Sequence, residues 1–168
     1  GRKSRTHVEE HPEFGLTIDP QSKAASRWEL LNHRGGMFTA GVGGPITGRG
    51  ADLFISDDAV KNAEEAASST IQERNADWWD STAYTRIEPG GIAVVMATRW
   101  HEKDMTGHIL SLQDTEDGDK DGDMEDEFWY VLKLPALAEA NDVLGRVPGT
   151  ALWPERYPVA RLQRIAQR

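Results

Sequence analysis

The 168 residues make about one domain's worth of chain, enough to bury a core without staples, and the absence of cysteine excludes disulfides, thiol redox chemistry and thiolate metal sites. The net charge of −9 argues at first against a nucleic-acid partner, but residues 114–127 hold nine acids and one lysine, which leaves about −1 on the other 154 residues. Overall charge therefore neither requires nor excludes DNA.

Residues 1–27 are polar and interrupted by Pro12, Gly15 and Pro20, so the sequence predicts an irregular lead-in. From Trp28 the chain reads WELLN, HRGG, MFTAGV, two short strands around a glycine turn. A loop from Gly43 to Gly50, GGPITGRG, leads into LFIS (Leu53 to Ser56), a continuous apolar run ending in Asp57 and Asp58, as expected of a buried strand. Residues 62–79, NAEEAASSTIQERNADWW, are rich in helix formers and predict one helix with Ala66, Thr70, Ala76 and Trp79 on a face.

A turn EPGG (Glu88 to Gly91) then introduces IAVVMAT (Ile92 to Thr98), the strongest strand signal in the chain. A helix follows from Lys103 to Gln113, then the acidic run, then FWYVLKL (Phe128 to Leu134) as a further strand stopped by Pro135. The alternation of strand and helix predicts a mostly parallel α/β sheet with crossover helices. Residues 135–168 hold four of the eight prolines and end in a short basic stretch, which predicts an extended connection with a terminal helix. The longest apolar run, Ile92 to Ala97, is far too short to cross a bilayer, and the basic start GRKSR has no apolar stretch behind it, so the chain reads as soluble and unexported. A start at Gly1 rather than Met reads as a piece of something longer.

GGPITGRG nearly spells the phosphate-binding pattern G-x-x-x-x-G-K-[ST], with Arg49 for the lysine and Gly50 for the hydroxyl. A working phosphate loop needs a helix behind it, an ammonium and a magnesium-binding hydroxyl. This loop precedes a strand and lacks both groups. LFISDD carries the sharper signal: two carboxylates at a strand end match the Walker B arrangement, in which the first acid holds Mg²⁺ and the second positions the attacking water. The competing reading is a strand end with Asp58 as the N-cap of the next helix. Thr98 and Arg99 form a second polar strand end, able to sense a phosphate or, more plainly, to pair with a nearby acid while Trp100 packs on the core.

GGPITGRGADLFISDD, AVKNAEEAASSTIQERNADWWDSTAYTRIEPGG and IAVVMATRWHEKDMTG, with the later LPAL and GTALWPERYP, together resemble the large subunit of tailed-phage terminases, the ATP-driven motors that package viral DNA. The resemblance runs from about Trp28 to Leu162. It implies a RecA-like, P-loop NTPase-type α/β domain, incomplete here: residues 28–134 as its second half with an acidic insertion at 114–127, and residues 135–168 as the link toward a nuclease domain. It implies Asp57 as the magnesium ligand and Asp58 as the catalytic carboxylate, both toward ATP, Ala97 to Arg99 as the motif coupling hydrolysis to DNA movement, and Arg49 as a candidate phosphate contact, in its own site or in trans to a ring neighbour. The implied cofactors are ATP and Mg²⁺. The implied partners are double-stranded DNA, a portal protein, a small terminase subunit and further copies in a ring, in the cytoplasm of a bacterial host, with no membrane. The family's P-loop is missing, so this chain alone is expected not to hydrolyse ATP. The alternatives are a helicase-like ATPase and a non-catalytic α/β interaction module.

That last alternative draws on Asp117 to Phe128, DGDKDGDMEDEF, which overlays an EF-hand loop at Asp117, Asp119, Asp121 and Gly122 but has Phe128 where the bidentate Glu belongs. The plainer reading is a solvated surface insertion. His101 and His108, seven apart, are too far spaced for a helical metal pair and read as surface residues, and the tryptophans read as core or contact aromatics.

Overall fold

In chain order the elements are α1 (Arg2–Glu10), β1 (Ile18–Lys23), β2 (Arg27–Leu30), β3 (Gly36–Phe38), β4 (Ala51–Asp57), α2 (Ala63–Ala67), α3 (Ser69–Trp78), β5 (Ile87–Met96), α4 (Met105–Thr115) and α5 (Val159–Ala166). They come from a computed structural model that describes residues 1–115 and 129–167, without the side chains of 114 and 115. The chain divides into two units, residues 1–118 and 119–168.

The first unit is mixed α/β, with a three-stranded antiparallel sheet in the order β1-β2-β3 and a parallel pair β4-β5. The expected mostly parallel sheet is thus corrected to one parallel pair among the described residues. The lead-in is also more ordered than its composition suggests, since it holds α1 and β1. Pro20 is tolerated because β1 is an outer strand, where a missing N–H leaves no ladder bond unmade. The β2–β3 hairpin is as expected, with Trp28 opposite Met37, and Asn32 at φ 61 turning the chain.

The β4–β5 pair positions everything that follows. Its register runs from Leu53 opposite Ile92 to Asp57 opposite Met96. The EPGG segment is not a turn before the strand but a bulge within β5, where the register shifts between Ala51 and Leu53 and Gly90 takes φ 79. Parallel strands need a crossover long enough to return the chain, and residues 58–86 supply it. That crossover is not the single helix expected: it breaks at Ser68, which is extended at φ −80 and ψ 112, because serine lets backbone and side chain leave the helical pattern cheaply. After α3 the chain widens into a π-helical turn, Trp79–Ala83, and then tightens into a 3-10 turn, Tyr84–Arg86.

Strand alternation then decides what is buried. Phe54 points to the crossover, 5.9 Å edge-on from Trp79 and 6.4 Å from Trp78, and Trp79 is 2 % exposed. The opposite face is bare: Leu53 is 55 % and Ile92 62 % exposed, with Ile55, Val94 and Met96 also open. The buried strand expected from LFIS is therefore covered on one side only, where Trp78 of α3 and Trp79 of the π-helical turn pack on Phe54. No helix among the described residues is long and apolar enough to cross a membrane.

In the second unit the expected strand at 128–134 does not form: Trp129 to Leu134 is irregular, Phe128 lies outside the described residues, and Tyr130 is 89 % exposed. A strand exists only with a partner, and the described part of this unit holds a single isolated antiparallel bridge, Leu137 to Ala151. The connection expected to be merely extended is organised around that bridge. Ala138 N donates to Thr150 O and Leu152 N to Ala136 O, both at 2.8 Å. Arg146 grips the inaccessible Asp142 carboxylate through Nη2 at 2.6 Å and Nε at 3.0 Å, and reaches the Pro135 carbonyl at 2.9 Å. The Arg146 guanidinium holds the Asp142 carboxyl below its ordinary range. The terminal helix α5 forms as expected.

One-sided packing has a measurable consequence. Trp79→Ala should destabilise the first unit by about 3–5 kcal/mol, the range for emptying a buried aromatic site. Leu53→Ala, on the bare face, should cost less than about 1 kcal/mol. Urea unfolding of both variants checks the pair; equal losses would mean that the Leu53 face is packed in solution.

Candidate functional site

Asp57 is the last residue of β4 and shares the alternation of Leu53 and Ile55, so its carboxylate stands on the bare face, exposed and without a polar partner among the described residues. Asp58 behaves differently. Its backbone turns into the left-handed region at φ 45, its N–H donates to the Met96 carbonyl at 3.0 Å, and its Oδ1 accepts from the Thr98 N–H at 3.0 Å. The carboxylate thus takes the position of the next rung in the β4–β5 ladder, and its other oxygen is not engaged by this bond. Asp58 does not cap the following helix; Asn62 does, accepting from Glu65 N at 2.9 Å.

Thr98 is brought to Asp58 by its backbone, and its side chain is exposed. Arg99, one residue on, turns to the loop before α4: Nε donates to Asp104 Oδ2 at 2.8 Å, and Nη2 reaches the carbonyls of His101 and Glu102, each at 3.3 Å. Trp100 is 49 % exposed and does not pack on the core. Arg49 lies with its guanidinium over the Phe38 ring, 4.9 Å from the centroid. It shares one open groove with Asp57, Asp58, Arg74 and Arg86. Of the residues singled out from sequence, the structure therefore gathers Arg49, Asp57 and Asp58 on one groove, ties Thr98 to its rim, and directs Arg99 away to Asp104.

The groove carries guanidinium groups, which can pair with phosphate oxygens, and two carboxylates, which can hold a metal or a water. No group of three or more metal-ligating side chains occurs among the described residues. A divalent ion here would draw most of its shell from phosphate oxygens and water, as Mg²⁺ does. The crevice enclosed by Asp58, Thr98, Asp104 and Met105 is only about 10 Å³, the scale of a single water. A nucleotide would have to lie in the open groove.

The plainer reading of Arg99, paired with a nearby acid, is the one observed, and two further polar ties, those of His101 and His108, escaped the sequence reading. Asp104, 5 % exposed, caps α4 by accepting from Gly107 N at 2.9 Å while holding Arg99. His101, read as a surface residue, accepts from Lys103 N at 3.0 Å through Nδ1, which also lies 3.3 Å from Gln72 Nε2 on α3. His108 places Nε2 2.9 and 3.0 Å from the two carboxylate oxygens of Asp80. Only Asp104 left a sequence signal, an acid immediately before a helix. The EF-hand-like stretch 117–128 lies outside the described residues. No family model, curated protein or solved structure matches the chain.

The geometry of Asp58 separates its structural from its chemical contribution. Asp58→Asn keeps an acceptor for Thr98 N–H and a residue type that tolerates positive φ, so it should cost less than about 1 kcal/mol. Asp58→Ala loses the bond and strains the turn, for about 1–3 kcal/mol. Denaturant unfolding distinguishes them, and equal losses would contradict the rung assignment.

Proposed function

We propose that the chain is part of the ATP-hydrolysing motor of a tailed-phage terminase large subunit, contributing the Walker B carboxylates and the coupling segment. The observation that carries the reading is the adjacent pair Asp57 and Asp58 at the C-terminal end of a parallel strand, with Arg49 on the same groove. Ligands of open α/β sheets bind at that end. The parallel neighbours β4 and β5 are compatible with two strands of a RecA-like sheet, and the ordered motifs of the sequence supply the rest of the argument.

In this reading Asp57 would hold Mg²⁺, which when bound neutralises phosphate charge. Asp58 orients the attacking water through the carboxylate oxygen not used by Thr98 N–H, and can accept its proton. Arg49 contacts phosphate, from its own site or a ring neighbour's. The substrate is ATP and the cargo double-stranded DNA, moved with a portal protein and a small terminase subunit in a bacterial host cell. The rival, a non-catalytic α/β interaction module, draws support from Arg99, whose guanidinium is bound to its own loop rather than open to a ligand.

ATP turnover by the complete large subunit separates these readings. Asp58→Asn should lower turnover at least about a hundredfold, the loss of a positioned base, with ATP binding within about threefold of the parent. Thr98→Ala should keep hydrolysis and lose DNA packaging. Unchanged turnover in Asp58→Asn would remove the Walker B assignment.

A further inference from the structure

Arg99 is held by more than one bond, and each of its partners is itself fixed. Its Nε donates to Asp104 at 2.8 Å and its Nη2 to the carbonyls of His101 and Glu102. Asp104 is buried, and its second oxygen caps α4 through Gly107 N. Gly107 belongs to the same construction: a Cβ there would overlap the Glu102 carbonyl oxygen and lie 3.0 Å from Arg99 Nη2, so only glycine lets the loop close this tightly on the helix. From α4 and its approach, two side-chain contacts lead on to the crossover: His101 with Gln72 of α3, and His108 with Asp80 of the π-helical turn. At the other end, Arg99 follows directly on Thr98, whose N–H is bonded to Asp58.

We infer that Asp104 is a positioning residue that fastens Arg99 to α4, so that α4 is the element moved when the end of β5 shifts. Only the consequence for the motor rests on the function proposed above; the fastening stands on the geometry. The Arg99 side chain is 43 % exposed, but a charge-assisted bond to a buried partner with two carbonyls behind it restrains it more than a fully exposed ion pair does. A shift of the Asp58–Thr98 rung is then carried by Arg99 into the first turn of α4, and from there to α3 and the π-helical turn. Arg99 acts as a tie between strand and helix rather than as a phosphate ligand.

Asp104→Asn isolates the claim, because asparagine is as good a helix cap but carries no charge for Arg99. In the 168-residue chain labelled with ¹⁵N-arginine, the Arg99 Nε–H signal, identified by its loss in Arg99→Lys, should exchange at least tenfold more slowly than those of exposed arginines. In Asp104→Asn it should join the exposed group while the α4 amides keep their positions. Gly107→Ala should release Arg99 with Asp104 intact. Fast exchange in the parent, or slow exchange surviving in Asp104→Asn, overturns the inference.

In the complete large subunit, Asp104→Asn and Arg99→Lys should each reduce DNA packaged per ATP about tenfold, with KM for ATP within threefold. The double variant should be no worse than either. Multiplicative losses would overturn the transmission role. Absence of ATP turnover in the parent protein would count against the motor reading alone and leave the exchange result to decide the fastening.

Discussion

The first unit depends on a short parallel ladder finished by a side chain. Backbone pairing between β4 and β5 runs to Asp57 and Met96, and beyond that point Asp58 supplies both partners for the other strand: its N–H for Met96 and its carboxylate for Thr98. A parallel pair alone is a weak structure. Here it is fixed at one end by that side-chain rung and on one face by Phe54 against Trp78 and Trp79. The same rung places two acids and a threonine together, so the stability of the strand ends and the chemistry available there rest on one residue.

Much of this was legible in the sequence. The apolar stretches at Leu53 and Ile92, the hairpin after Trp28 and a helix ending near Gln113 follow from local pattern, and each is present. What pattern could not supply was the partner. LFIS has the composition of a strand buried on both faces, yet coverage depends on what the crossover offers, and α3 covers one. FWYVLKL is as strand-like as any segment, but strands form only against an open edge, and the described residues 129–167 present none to it. The helix break at Ser68 and the bulge at Gly90 are also invisible to periodicity, because both depend on how the crossover must bend to return β5 beside β4.

The site shows the same division. Asp57 and Asp58 stand out by type and place, and the structure puts them at the end of a parallel strand with Arg49 on the same groove. Arg99 was legible as a cation at a strand end that could pair with a nearby acid, but which acid was not. Its partner, Asp104, is five residues away in a loop whose closeness to α4 requires Gly107, a relation that no linear spacing expresses. The apolar face of Leu53, Ile55, Ile92 and Val94 lies beside the exposed carboxylate of Asp57, so whatever covers that face also shapes the groove in which a nucleotide would sit.

The proposed function requires that a divalent cation and a nucleotide meet at the end of β4. Crystals of the complete large subunit grown with Mn²⁺ and a non-hydrolysable ATP analogue would test it by anomalous scattering. The account predicts a manganese peak within coordination distance of the Asp57 carboxylate, with phosphate oxygens completing the shell. A peak confined to the acidic run at 114–127, or none near Asp57 with the analogue bound, would contradict it.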